Sequence, residues 1–139
     1  MRVRFKGPSV ERLKLLAACA LVALLFAASA ACRDVDGENA AAAMTGGGSP
    51  ARGRAAIERY GCGTCHTIPG VRGAEALVGP PLTQVASRSY IGGVLTNSPE
   101  NMIRWLRDPR AVDPLTAMPT LGVTDGDARD IASYLYTLK

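Results

Sequence analysis

Cys62-Gly63-Thr64-Cys65-His66 constrains this chain more than any other stretch. C-x-x-C-H is the spacing that attaches a c-type haem. Two thiols three residues apart on one helical turn can each form a thioether to a haem vinyl group. The adjacent histidine then reaches the iron from one side of the ring. His66 is the only histidine in the chain, so it has no competitor as proximal ligand. A thioredoxin-like pair would need Cys-x-x-Cys to open a helix after a strand. The residues before Cys62, from Arg54 to Tyr60, read as helix instead. A structural zinc site needs four ligands, and only Cys62, Cys65 and His66 are near one another in sequence. A structural disulfide remains open, although it gives His66 no role.

The first third of the chain reads as an address. Arg2, Arg4, Lys6, Arg12 and Lys14 stand against Glu11, and an uncharged run from Leu15 to Ala31 follows, ending in Ala27-Ala28-Ser29-Ala30-Ala31. A basic region, an apolar region and a small-residue region in that order predict export. The fate of the run stays open three ways. Cys32 follows Ser29-Ala30-Ala31 and precedes a polar stretch, which suits a lipid anchor. Cleavage near Ala30 or Ala31 would leave Cys32 a stray thiol. An uncleaved anchor fits too, since the run sits at the short edge of the ~17–25 residues that span a bilayer.

Charge divides the same way. Sixteen bases and twelve acids give +4. Residues 1–31 hold five of the bases and one acid, which leaves eleven of each in residues 32–139. The exported part is neutral, so the basic pI argues neither for nucleic acid nor for a strongly basic docking face.

Residues 32–49 read as a flexible tether: a polar start, the run Ala40–Ala43, then Gly46-Gly47-Gly48. The folded unit is then 50–139, one small domain for which a covalent haem would supply the apolar centre. Ser49-Pro50 marks a helix start, and Gly61 suits its end. Ser98-Pro99 repeats the signal, with Met102, Ile103, Trp105 and Leu106 following and Asp108-Pro109 as the stop. Thr124-Asp125-Gly126-Asp127 starts a third helix, along which Ile131, Tyr134, Leu135 and Leu138 keep helical spacing. Residues 67–97 read as loop with one short helix at most and no alternating strand.

A haem iron held by His66 takes a sixth ligand or stays open. Histidine is exhausted, so methionine is the soft donor at hand. Met1 lies in the export segment and Met44 in the tether, while Met102 sits on an apolar helix face, where methionine usually fills core. Met118 precedes Pro119 in a stretch that cannot be regular helix, and the proline biases it to extended backbone. Met118 is the expected distal ligand, with Met102 or an open site as the alternatives.

Taken together, Gly53 and Ile57, Cys62–His66, Gly79-Pro80-Pro81-Leu82, Met118-Pro119 and Ile131-Ala132-Ser133-Tyr134-Leu135 resemble a monohaem class I c-type cytochrome from Gly53 to Leu138. The resemblance implies an all-α fold of three to five helices around one haem, with the first and last helices crossing. It implies that Pro80 offers its carbonyl to the other imidazole nitrogen of His66, fixing the ring. It places Arg88 near a haem propionate, with Tyr90 and Trp105 as further candidates. The lysine-rich face of mitochondrial relatives is missing: Lys139 is the sole lysine after Lys14.

Val78–Pro109 is more narrowly similar to small bacterial cytochromes that serve aerobic terminal oxidases, either membrane-tethered or fused to oxidase subunit II. The implied function is one-electron transfer in a respiratory chain to a membrane-bound oxidase or reductase on the periplasmic side, without catalysis, small-molecule substrate or nucleic acid. A haem gas sensor or peroxidase-like protein is the alternative and would need an open distal site. A non-haem redox or interaction module would need Cys62 and Cys65 free or paired.

Overall fold

Local caps set the helices in a computed structural model that describes the chain from Val10 to Lys139, with side chains except at residues 10–13, 18 and 23–34. Ser49 accepts the Arg52 amide and Pro50 opens the helix Pro50–Arg59. Ser98 accepts the Asn101 amide ahead of Pro99–Arg107, and Thr124 accepts the Asp127 amide ahead of Asp125–Thr137. In each, a side-chain oxygen satisfies an amide that the first helical turn leaves without a partner. In chain order the elements are α1 (Val10–Met44), α2 (Pro50–Arg59), β1 (Tyr90–Ile91), β2 (Leu95–Thr96), α3 (Pro99–Arg107), α4 (Pro109–Val112) and α5 (Asp125–Thr137).

The chain divides after Asp36 into two units, the second being Gly37–Lys139. Among the described residues, no helix is long and apolar enough to cross a membrane. Part of the run Leu15–Ala31, together with the anchor candidate Cys32, lies outside the described side chains.

The expectation of a flexible tether over residues 32–49 does not match the structure. α1 continues through Ala40–Ala43 to Met44, and Ala41 and Thr45 are buried. Alanine is the strongest helix former, so the run continues the helix. The glycines stop it. Gly46, at φ +68°, and Gly47 donate their amides to Ala43 and Ala42, closing a Schellman turn. Gly48 then lies where a Cβ would sit 2.4 Å from the Arg129 carbonyl oxygen. Composition that reads as a loose linker is therefore a capped helix end followed by a close backbone contact with α5.

α2 and α5 cross as expected, and Gly53 is the reason they can. A Cβ there would stand 1.9 Å from the Asp130 carbonyl oxygen, so the two backbones touch. Around this point Ala56, Ile57, Ala128, Ile131 and Ala132 are buried. Each isoleucine contributes about 1.5–3 kcal/mol by leaving water. One polar group seals the edge of the crossing. Asp130 accepts the Ser49 amide at 2.7 Å and the Arg52 guanidinium at 2.7 and 2.9 Å. Burial raises the Asp130 carboxyl, but the Arg52 and Ser49 hydrogen bonds outweigh it and hold the group below its ordinary value. A lowered carboxyl contributes stability above its unfolded pKa of about 4 and loses it as pH falls through the lower folded value. Asp130→Asn is therefore expected to lower Tm at pH 7 and to flatten the fall in Tm below about pH 4, read by circular dichroism melts across pH.

Three elements, α4, β1 and β2, go beyond the sequence reading. Asp108 ends α3, as expected, but its carboxylate also accepts the Ala111 amide and starts the single turn α4. β1 and β2 pair antiparallel through Tyr90–Thr96 and Ile91–Leu95, where no strand was expected. Strands of two residues carry no alternation to read. Their turn needs Gly92 and Gly93, at φ +57° and +78°. A Cβ on Gly92 would lie 2.6 Å from the Trp105 ring, so the hairpin rests on the indole.

Candidate functional site

The turn after α2 places the Cys-x-x-Cys-His motif. Tyr60 caps α2, Gly61 takes φ +68°, and a 3-10 turn, Cys62–Thr64, follows. The Cys65 and His66 amides both donate to the Cys62 carbonyl, so the motif is one tight coil. Gly63 is pressed on Ala74, where a Cβ would find that methyl at 2.9 Å. Cys62 and Cys65 are half-buried and form no disulfide. Burial pushes the Cys62 thiol above its ordinary value, which disfavours a thiolate. Among the described residues, no three His, Cys, Asp or Glu side chains gather as a metal cluster would require.

The motif opens on a cavity of about 460 Å³. All eight sequence-derived candidates in the domain line it: Cys62, Cys65, His66, Pro80, Arg88, Tyr90, Trp105 and Met118. They come from five separate stretches of chain, which only the fold brings together. The rest of the wall is mostly aliphatic, with Ile57, Ile68, Val85, Ile91, Leu106 and Leu135 among its residues. Ile57 and Leu135 belong to the stretches that carry the resemblance and Leu106 keeps helical spacing in α3, whereas Ile68, Val85 and Ile91 lie outside these helices and no motif marks them.

His66 is held on one side. Its Nδ1 lies 2.8 Å from the Pro80 carbonyl oxygen, the partner expected. A carbonyl only accepts, so Nδ1 carries the proton and Nε2 of the neutral ring keeps its lone pair. The loop that presents Pro80 is itself tied to the motif, since the Gly79 amide donates to the Cys65 carbonyl at 2.7 Å. Gly79 has to be glycine: a Cβ would stand 2.5 Å from Cε1 of His66. One side of this pocket is thus a backbone cradle fitted to an imidazole.

Arg88 donates to the carbonyls of Pro81 and Thr83 in the same loop. Tyr90 stands at the rim, 61% exposed, while Trp105 is 8% exposed under the hairpin. Met118 lies in the non-helical stretch between α4 and α5. Its amide donates to the Thr116 hydroxyl, and two residues on the Thr120 hydroxyl donates to Asp108 at 2.9 Å. The Thr120 hydroxyl and the Ala111 amide together hold the Asp108 carboxyl below its usual range. Asp108 therefore ties the Met118 loop to the start of α4. Met102 also lines the cavity, from the buried face of α3.

The donor set fits a c-type haem. An apolar chamber carries two thiols on one coil, one imidazole with a free Nε2, and a thioether from a separate loop. Residues 50–139 match the profile of the family described as Cytochrome c. Over 89 residues the chain is 33% identical to a cytochrome c oxidase subunit 2 of Alkalihalophilus pseudofirmus, covering 63% of this chain and 25% of that protein. It is 34% identical over 88 residues to the protein of the same description in Bacillus sp. strain PS3, covering 60% of this chain and 25% of the relative. The chain spans about a quarter of the length of these curated relatives. No solved structure matches. With a coil of two thiols and a histidine opening on an apolar chamber, and the family profile running over the whole of that domain, the chain belongs to the cytochrome c family.

Proposed function

We propose that this protein carries one haem c, which Cys62 and Cys65 would bind and whose iron His66 and Met118 would ligate, and passes single electrons to a membrane-bound terminal oxidase. The observation that carries the reading is the convergence of Cys62, Cys65, His66 and Met118 on one chamber while Pro80 engages Nδ1 of His66. When bound, the group supplies a one-electron couple between ferric and ferrous iron. Cys62 and Cys65 hold it in place, and the Pro80 carbonyl keeps the imidazole oriented and basic. Met118 is favoured over Met102 because it comes from a loop and is half-buried, whereas Met102 fills the α3 core at 2% exposure. Ile57, Ile68, Leu106 and Leu135 exclude water, which together with a thioether donor favours the reduced state and raises the potential.

The oxidase partner is supported by the relatives, both described as oxidase subunits, and by the earlier likeness of Val78–Pro109 to oxidase-serving cytochromes. The basic-then-apolar N-terminus supports a place on the periplasmic side of the inner membrane, with Cys32 as lipid anchor. A tether raises the local concentration of a carrier beside a membrane complex without new contacts. The test is carbon monoxide added to the reduced holoprotein, followed by oxidase-containing membranes under air. Inertness to carbon monoxide with rapid oxidation by the membranes is expected. Ready carbon monoxide binding would turn the reading to a gas sensor or peroxidase-like protein.

A further inference from the structure

Asn97 follows β2 and precedes the cap of α3, and nothing in the sequence marks it. Its side chain is nonetheless close to fully used. Nδ2 donates to the carbonyls of Val85 at 2.9 Å and Arg88 at 2.8 Å. Oδ1 accepts the Tyr136 hydroxyl at 2.8 Å, and the Asn97 amide donates to the Ser89 carbonyl at 2.9 Å. Two carbonyls facing one end of the amide fix which end is nitrogen, since carbonyls cannot donate.

The segment so held has only single-turn backbone bonds of its own, Ser87 to Gln84 and Arg88 to Val85, with the Ala86 amide donating to the Leu138 carbonyl. Gln84 takes φ +55°, the one left-handed non-glycine among the described residues, and a single 3-10 turn, Val85–Ser87, follows. The segment carries Val85, Arg88, Tyr90 and Ile91 into the cavity wall. From its far end, Arg88 reaches back to the carbonyls of Pro81 and Thr83, in the loop whose Pro80 carbonyl meets Nδ1 of His66. A continuous run of hydrogen bonds and short backbone therefore leads from Tyr136 on α5, through Asn97 and Arg88, to the imidazole.

We propose that Asn97 is a positioning residue for His66: by clamping the Val85–Arg88 turn it sets Arg88, and Arg88 holds the Pro80 loop against the ring. Tyr136 ties the clamp to α5. Burial, with a smaller push from Glu100, raises the Tyr136 hydroxyl to about 12, so it stays a donor over the working pH range. The assignment rests on His66 being the haem ligand, and the test separates the two ideas.

The measurement is the hydrogen-exchange rate of His66 Nδ1–H, read by NMR on the reduced holoprotein. In the wild type, a haem-shifted, slowly exchanging proton is expected; its absence would overturn the ligand assignment itself. Asn97→Ala is expected to speed exchange by about tenfold or more, the effect of losing the support of one hydrogen bond. Arg88→Met is expected to do the same, Tyr136→Phe less, and the Asn97→Ala/Arg88→Met double variant no more than either single. Asp127→Asn supplies a control, because Asp127 pairs with Arg59 and Tyr60 and does not line the cavity. Wild-type exchange in Asn97→Ala, or equal acceleration in Asp127→Asn, would overturn the proposal. If Asn97→Ala does not fold, Arg88→Met decides it alone: wild-type exchange there breaks the chain of contacts.

Discussion

In the Met118→Ala holoprotein, the thioether-to-iron charge-transfer band is expected to vanish and carbon monoxide to bind the reduced form. His66 is the only histidine, and its Nδ1 is engaged by Pro80. On the proposed ligation Met118 would supply the thioether, from the loop that Asp108 and Thr120 tie to α4. Truncation at Cβ removes that donor while leaving Pro119 and the loop backbone in place. The potential is expected to fall by on the order of a hundred millivolts or more, within the ~0.8 V that axial ligands span. Optical titration against a redox mediator set reads both effects. A retained band with an unchanged potential would move the sixth ligand to Met102, the other methionine lining the cavity.

Gly53→Ala is expected to be the most destabilising single-methyl change in the domain. Its Cβ would stand 1.9 Å from the Asp130 carbonyl oxygen and 2.5 Å from the carbonyl carbon, both backbone atoms in mid-helix that cannot rotate away. Relief requires α2 and α5 to separate, which opens the core in which Ile57 and Ile131 are buried and strains the Ser49 and Arg52 hydrogen bonds to Asp130. Overpacking a crossing made of backbone on backbone costs about 3 kcal/mol or more. In a domain of this size that is a fall in Tm of roughly 12 °C or more. Thermal melts of the two holoproteins measure it. A Tm within a few degrees of wild type would mean that the helices do not meet at Gly53.

What could be read from the sequence follows from how local each signal is. Ser49-Pro50, Ser98-Pro99 and Thr124–Asp127 each state a helix start within four residues, and all three start where the sequence puts them. Cys62–His66 is equally local, and Gly79-Pro80 was legible only beside it. The alanine run and the glycines after it failed because a solvated linker and a capped helix share that composition; Ala41 and Gly48 are distinguished only by what they touch. The hairpin failed because two residues per strand show no period. Asn97 had no signal, since its three side-chain partners lie 9, 12 and 39 positions away.

The most direct test of the central claim is acid–acetone extraction of the protein matured with c-type haem machinery, followed by the reduced alkaline pyridine spectrum of the pellet. One haem per chain is expected to stay with the pellet, with the spectrum of two thioether-saturated vinyl groups, and to be lost to the solvent phase when Cys62 and Cys65 are both replaced by alanine. Haem extracted freely from the wild type, or none incorporated, would contradict that claim.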